Sequence, residues 1–140
     1  MDMKIRDEES KDIEQVRAIL EATFPTEAES KLVDALRTNG KAIISLVVVR
    51  DDQVLGHILF SPVSTTPPSE PKGIGLAPVA VRPDVQPQGI GSGLIREGLR
   101  LCKELGYDYV DDEFRLIRFS RRELARGLVR YESEFALFSV

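Results

Sequence analysis

Three glycines alternate at Gly89, Gly91 and Gly93 inside the run Gln86-Pro87-Gln88-Gly89-Ile90-Gly91-Ser92-Gly93. They follow an apolar stretch directly and open a helical pattern. Glycine lets backbone close on a ligand with no Cβ in the way. The first turn of a helix leaves N–H groups unpaired and carries a partial positive charge. Together these make a cradle for an anion, most naturally a phosphate. The same run also reads as a glycine-rich turn that holds nothing. Two better-known phosphate motifs fail here. The dinucleotide fingerprint needs glycine at position 94, where Leu94 stands, and no strand–helix–strand unit precedes the loop. The Walker pattern needs Gly-Lys-Ser or Gly-Lys-Thr at the helix start, and the run has neither.

Few other side chains offer chemistry. Glu29 is a carboxylate that reads either as a general base or as the partner, three residues on, of Thr26 in a capping box. His57 is the only histidine and falls in the middle of a strand pattern, where it reads as a packed residue or a base. Asp111 and Asp112 follow a short apolar run and read as a solvated acidic turn or a cation contact. Cys102 sits on the apolar face of a helix and reads as core rather than nucleophile. One His and one Cys do not supply the usual ligands of a metal site, so none is expected.

The elements that must position these residues follow from the pattern. Residues 3–6 alternate apolar and charged and predict a first strand. Ser10 is a plausible N-cap for an amphipathic helix over residues 11–23, with Ile13, Val16, Ile19 and Leu20 on one face. Phe24-Pro25-Thr26 breaks it. A second helix with Leu32, Val33 and Leu36 inward runs to Asn39-Gly40. The β-branched run 42–49, the turn Asp51-Asp52 and residues 54–63 predict a hairpin. Residues 65–73 predict a loop, and 74–81 a further strand. Pro78 inside that strand argues for a bulge or a broken ladder. Leu94, Ile95, Leu99, Leu101, Cys102 and Leu105 mark a third helix that stops at Gly106. Residues 107–110 predict a strand, and 114–119 and 127–131 two more.

Composition narrows the class. The chain has 140 residues, 42% of them hydrophobic, which suits one α/β domain over 1–140 with a full core. A net charge of −4 leaves no basic footprint for nucleic acid. The charged first nine residues lack the apolar core of a signal peptide, and no apolar run is long enough to span a bilayer. A cytoplasmic protein is therefore expected. A homodimer is compatible with all of this.

Residues 76–83, Leu-Ala-Pro-Val-Ala-Val-Arg-Pro, followed by the glycine run and Leu94-Ile95, resemble the acetyl-CoA-binding motif of the GNAT superfamily of N-acetyltransferases. Gln86, Gly89 and Gly91 match its core spacing. Within that superfamily the chain is similar to the YhbS-like branch, including Leu32-Val33-Asp34-Ala35-Leu36-Arg37 and residues 56–63. The resemblance implies the GNAT fold, a mixed central sheet splayed after a bulged fourth strand. It implies acetyl-CoA as cosubstrate, an amine as acceptor and no metal. Backbone N–H groups over Gln88, Gly89, Ile90, Gly91, Ser92 and Gly93 would hold the pyrophosphate. Free backbone groups near Val79, Ala80 and Val81 would pair with the pantetheine arm. The thioester would lie near residues 77–79, with the Val79 N–H on its carbonyl and Glu29 overhanging the acceptor cleft.

The chain departs from the family after Val110. The helix that usually follows this strand, and the tyrosine it carries as acid for the leaving thiolate, find no match. Tyr107, Tyr109 and Tyr131 do not fall at that place. Residues 112–135 resemble the C-terminal end of YhbS-like proteins, as if a middle segment were absent. The C-terminal region is thus expected to be shortened after the fifth strand. An acyl-CoA-dependent N-acyltransferase and a catalytically weak acetyl-CoA-binding domain of the same fold are both consistent with this. A partner-binding domain without CoA is the third alternative.

Overall fold

The computed structural model describes residues 3–62, 73–111, 116–118 and 130–131. Strands form where apolar residues alternate or run together. They are β1 (Lys4–Asp7), β2 (Ile44–Arg50), β3 (Gln53–Pro62), β4 (Gly73–Val81), β5 (Tyr109–Asp111), β6 (Leu116–Arg118) and β7 (Arg130–Tyr131). Helices α1 (Ile13–Thr23), α2 (Ala28–Thr38) and α3 (Ile90–Glu104) follow the 3.6-residue pattern. Among the described residues the strands make one sheet in chain order, β1 to β7. Every neighbouring pair is antiparallel except β4–β5, which α3 joins as a parallel crossover.

The sheet buries both faces, as period-2 alternation requires. Leu46 and Val48 of β2, with Phe60, Ile74 and Val110, pack under α3 against Leu94 and Leu99. Val47, Leu59 and Ala80 face the other way, against Val16 and Leu20 of α1 and Val33 of α2. Two close approaches set α3 on the sheet. A Cβ on Gly56 would stand 3.1 Å from Leu94 Cδ1 and 3.2 Å from Ile90 Cγ2, so the bare backbone of β3 lets the start of α3 descend. Further along, the buried Phe60 ring lies against Gly98, filling the space a side chain would take.

Turns follow their residues. Asp51 (φ 52°) and Asp52 (φ 65°) are both left-handed, the two-residue geometry that matches hairpin twist. At the end of α3, Tyr107 N–H donates to Cys102 O and Gly106 N–H to Lys103 O, with Gly106 at φ 90°. This pair of bonds closes the last carbonyls of the helix.

Four expectations are corrected. Ser10 is not the cap of α1: it opens a 3₁₀ turn, Ser10–Asp12. The Asp12 carboxylate there accepts the Glu9 N–H at 2.7 Å and is held by Arg6 Nη1 at 2.7 Å. Thr26 and Glu29 do not form a capping box, because α2 starts at Ala28 and Thr26 Oγ1 accepts the Ala28 N–H at 3.2 Å. Leu32 points outward and Leu105 is exposed at the helix end, so neither joins the core. The loop at 65–72, Asp112 and most of the two last expected strands lie outside the described residues.

Gly98→Ala tests the packing of α3. The added methyl would meet a fully buried ring, which typically costs about 1–3 kcal/mol and exceeds the helix-propensity gain of about 1 kcal/mol. Thermal unfolding should show a lower Tm for the variant.

Candidate functional site

A strand can hydrogen-bond along both edges, and β4 stops doing so partway. Ile58 stands opposite Val79 and Phe60 opposite Leu76, so Leu59 alone faces Ala77 and Pro78. That is a β-bulge, and Pro78 sits where the ladder is already broken. On the other edge, β4 pairs with β5 only through Gly73–Tyr109, Ile74–Val110 and Gly75–Asp111. Beyond Gly75 no pair with β5 is formed among the described residues. Among the described residues this edge of β4 thus carries no neighbouring strand beyond Gly75, in keeping with the mixed, splayed sheet expected from the sequence.

The groups facing the gap can be identified. Arg82 N–H donates to Leu55 O at 2.8 Å, so Arg82 points toward β3. Antiparallel pairing alternates, so Ala80 also points to β3, while Val79 and Val81 turn their N–H and C=O toward the open edge. Ala80 contributes its buried side chain to the packing under α1 and α2. The Val81 carbonyl has partners: Gln86 Nε2 donates at 3.2 Å and Thr23 Oγ1 at 3.4 Å. Gln86 thus fastens its loop to the strand. Thr23, Val79, Val81 and Gln86 line a cavity of about 200 Å³. A larger groove flanks α1 beside the β2–β3 turn, lined by Gln15, Ala18, Ala22, Gln53 and Arg82. It contains none of the catalytic or cofactor-binding residues expected from the sequence.

At the far end of the gap a 3₁₀ turn, Pro83–Gln88, is anchored by the buried Val85. Gly89 then turns left-handed at φ 76° and serves as the N-cap of α3. A side chain here would meet open space but a strained backbone. Gly93 N–H donates to Gly89 O at 3.1 Å, the first bond of the helix. The N–H groups of Ile90 and Gly91 precede that bond. Gly93 therefore offers an open Cα surface rather than a donor. No acidic residue lies in the first turn of α3, and Asp84 is held by Arg82 at 2.7 Å, so the positive helix end is not masked from within.

Glu29 lies in the first turn of α2, on the side of the sheet opposite α3. Its Oε1 is enclosed by protein and meets no hydrogen-bond donor among the described residues. His57 is fully buried on β3 beside Ala80. It belongs to a polar chain that the sequence did not reveal. Arg37 Nε donates to Glu8 Oε1 at 2.9 Å, Ser45 Oγ donates to the same oxygen at 3.1 Å, and His57 Nε2 lies 2.8 Å from Ser45 Oγ. The Ser45 proton goes to the carboxylate, so His57 Nε2 must carry the hydrogen and Nδ1 is a buried lone pair without a partner. Burial lowers the ring pKa from 6.5 to about 4, opposed by Glu8 and aided by Arg37. Burial also raises the Cys102 thiol to about 12, so it stays protonated in the core. Among the described residues no cluster of His, Cys, Asp and Glu could hold a metal, and no helix is long and apolar enough to cross a membrane.

A mixed sheet opened at a bulged strand, with a glycine-led helix start at the end of the opening, is the architecture of acyl-CoA-dependent acetyltransferases. The chain belongs to the GNAT family of acetyltransferases, whose model matches residues 13–124. It is 38% identical over 106 residues to N-acetyltransferase YhbS of Escherichia coli K12, covering 75% of this chain and 63% of that protein. The chain thus spans less than two thirds of the length of that relative. The crystal structure of Escherichia coli YhbS in complex with CoA is similar at TM-score 0.72 and 35% identity, over 79% of this chain and 61% of that one. A GNAT acetyltransferase from Brucella melitensis, solved in complex with acetyl-CoA, is similar at TM-score 0.74 and 34% identity. That likeness covers 94% of this chain and 89% of the other.

The buried histidine makes stability depend on pH. Unfolded, the ring takes a proton below about 6.5; folded, it stays neutral until about 4. The unfolded state therefore binds more protons between these values, and stability falls as pH drops through them. Between pH 6.5 and 5 the loss should be about 2 kcal/mol, by the one-proton linkage. Urea unfolding of His57→Gln across this window should give a shallower pH slope than the unaltered protein.

Proposed function

We propose that residues 1–140 act as a single acetyltransferase domain that moves acetyl from acetyl-CoA to an amine by direct attack. The observation that carries this reading is the open edge of β4, which runs from the glycine loop to the β4–β5 junction. The pyrophosphate would rest on the turn from Gln88 to Gly93, within the helix field of α3. The pantetheine arm would then lie along Val81 and Val79 as an added strand. This places the thioester near residues 77–79.

In this reading the Val79 N–H donates to the thioester carbonyl and stabilises the oxyanion that forms as the amine attacks. Glu29 takes the proton from the amine. Its enclosed oxygen without a donor supports the role, since such a carboxylate lacks only the proton it would accept. The C–N bond forms, the C–S bond breaks, and CoA leaves as thiolate. The relatives bound to CoA and acetyl-CoA support the choice of cosubstrate.

A second reading is a CoA-binding domain with little turnover. It draws on the short link between β5 and β6. β5 ends at Asp111 and β6 starts at Leu116, so four residues join them where the family resemblance implies a helix. A thiol-release assay over an amine panel separates the two. Turnover above the uncatalysed rate supports the transferase, and CoA binding without release supports the second.

Two substitutions test the assignments. Gly91→Asp puts a side chain and a negative charge at a buried position in the loop, and calorimetric titration should show no CoA binding. Glu29→Gln keeps the shape and removes the base. It should lower kcat about 100-fold while leaving KM for acetyl-CoA within about twofold.

A further inference from the structure

The groups on the open edge of β4 are not equivalent. Val79 and Val81 present two N–H donors and two carbonyl acceptors, and among the described residues side chains hold only the Val81 carbonyl. One of those side chains belongs to the glycine loop itself. The other, Thr23, comes from elsewhere: it is the last residue of α1. Phe24 then leaves the helix in an extended conformation, φ −108° and ψ 147°, and the chain enters α2 at Ala28, one residue before Glu29. A single hydroxyl thus ties the α1–α2 hairpin to the acceptor that an amide lying on this edge would use. The same hydroxyl borders the cavity that Val79, Val81 and Gln86 complete.

The bond is long. An O–H···O contact of 3.4 Å lies beyond the usual range of about 2.5–3.0 Å, whereas a ligand N–H can reach a carbonyl at about 2.9 Å. The exchange of one for the other is therefore favourable once a ligand lies along the strand. Gln86 has no such reach across to the helices, since it returns to the strand from five residues further along the chain.

We infer that Thr23 is a positioning residue whose hydroxyl holds the α1–α2 hairpin on the Val81 carbonyl until an amide of the pantetheine arm displaces it. Arrival of the cosubstrate and placement of Glu29 are then coupled, and the coupling acts equally in both directions. This rests on the CoA reading above. It predicts that the hairpin changes state when CoA binds, and that the hydroxyl opposes CoA rather than recruiting it.

The test uses the full chain with coenzyme A itself as probe. Calorimetric titration of the unaltered protein, Thr23→Val and Thr23→Ser is combined with hydrogen exchange of residues 24–30 with and without CoA. Thr23→Ala replaces the valine variant if valine lowers the Tm. The variant lacking the hydroxyl should bind CoA about two- to tenfold tighter, the range one weak competing bond supplies. Its hairpin amides should exchange alike with and without CoA, and the serine variant should restore both properties of the unaltered protein. Equal or weaker CoA binding without the hydroxyl, or an unchanged exchange response, overturns the inference. Absence of CoA binding by the unaltered protein overturns the CoA reading on which it stands, and is seen before any variant is compared.

Discussion

A β-strand carries hydrogen-bonding groups along two edges, and a protein normally pairs both or covers what is left. Strand β4 pairs one edge along most of its length and the other, among the described residues, for only its first three residues. The remainder faces a gap inside the sheet, between two strands that begin side by side. Everything else at the site depends on that parting. The gap gives an extended ligand backbone partners and also fixes how far the glycine loop stands from the β4–β5 junction.

Several local choices in the chain agree with the parting. Pro78 cannot donate to a ladder, and it occupies the bulge where no donor is called for. Gly56 leaves room for Leu94 and Ile90, so α3 starts close over the sheet and its N-terminus meets the end of β4. The 3₁₀ turn before Gly89 is pinned by the buried Val85 and by Gln86 on the Val81 carbonyl. The loop is thus held by packing and hydrogen bonds while Gly89 stays exposed. Such preorganisation favours binding because little ordering remains to be done when a ligand arrives.

The other side of the sheet is built on a polar chain rather than on apolar contact alone. Arg37 of α2, Glu8 after β1, Ser45 of β2 and His57 of β3 connect four segments of the chain. His57 is fully buried and Glu8, Arg37 and Ser45 are half-buried, so breaking the chain of bonds is costly, which favours one crossing of α2 over the strands. The helix that carries Glu29 is held at its far end by this network and at its near end through α1.

The glycine loop, the elements around it and the bulge at Pro78 were all legible in the sequence, because each rests on local backbone chemistry: missing side chains, a missing donor, or a repeating apolar face. The family was legible for the same reason, since its motif is local. The caps were misread where competing partners lay close by in the chain: Asp12 rather than Ser10, and Ala28 rather than residue 29 for Thr26. What only the tertiary structure decided are contacts between residues distant in sequence. Thr23 and the Val81 carbonyl are 58 residues apart, and Glu8 and Ser45 are 37 apart. No periodicity or motif encodes such pairs. They follow from how two helices settle on a sheet whose strands have already parted.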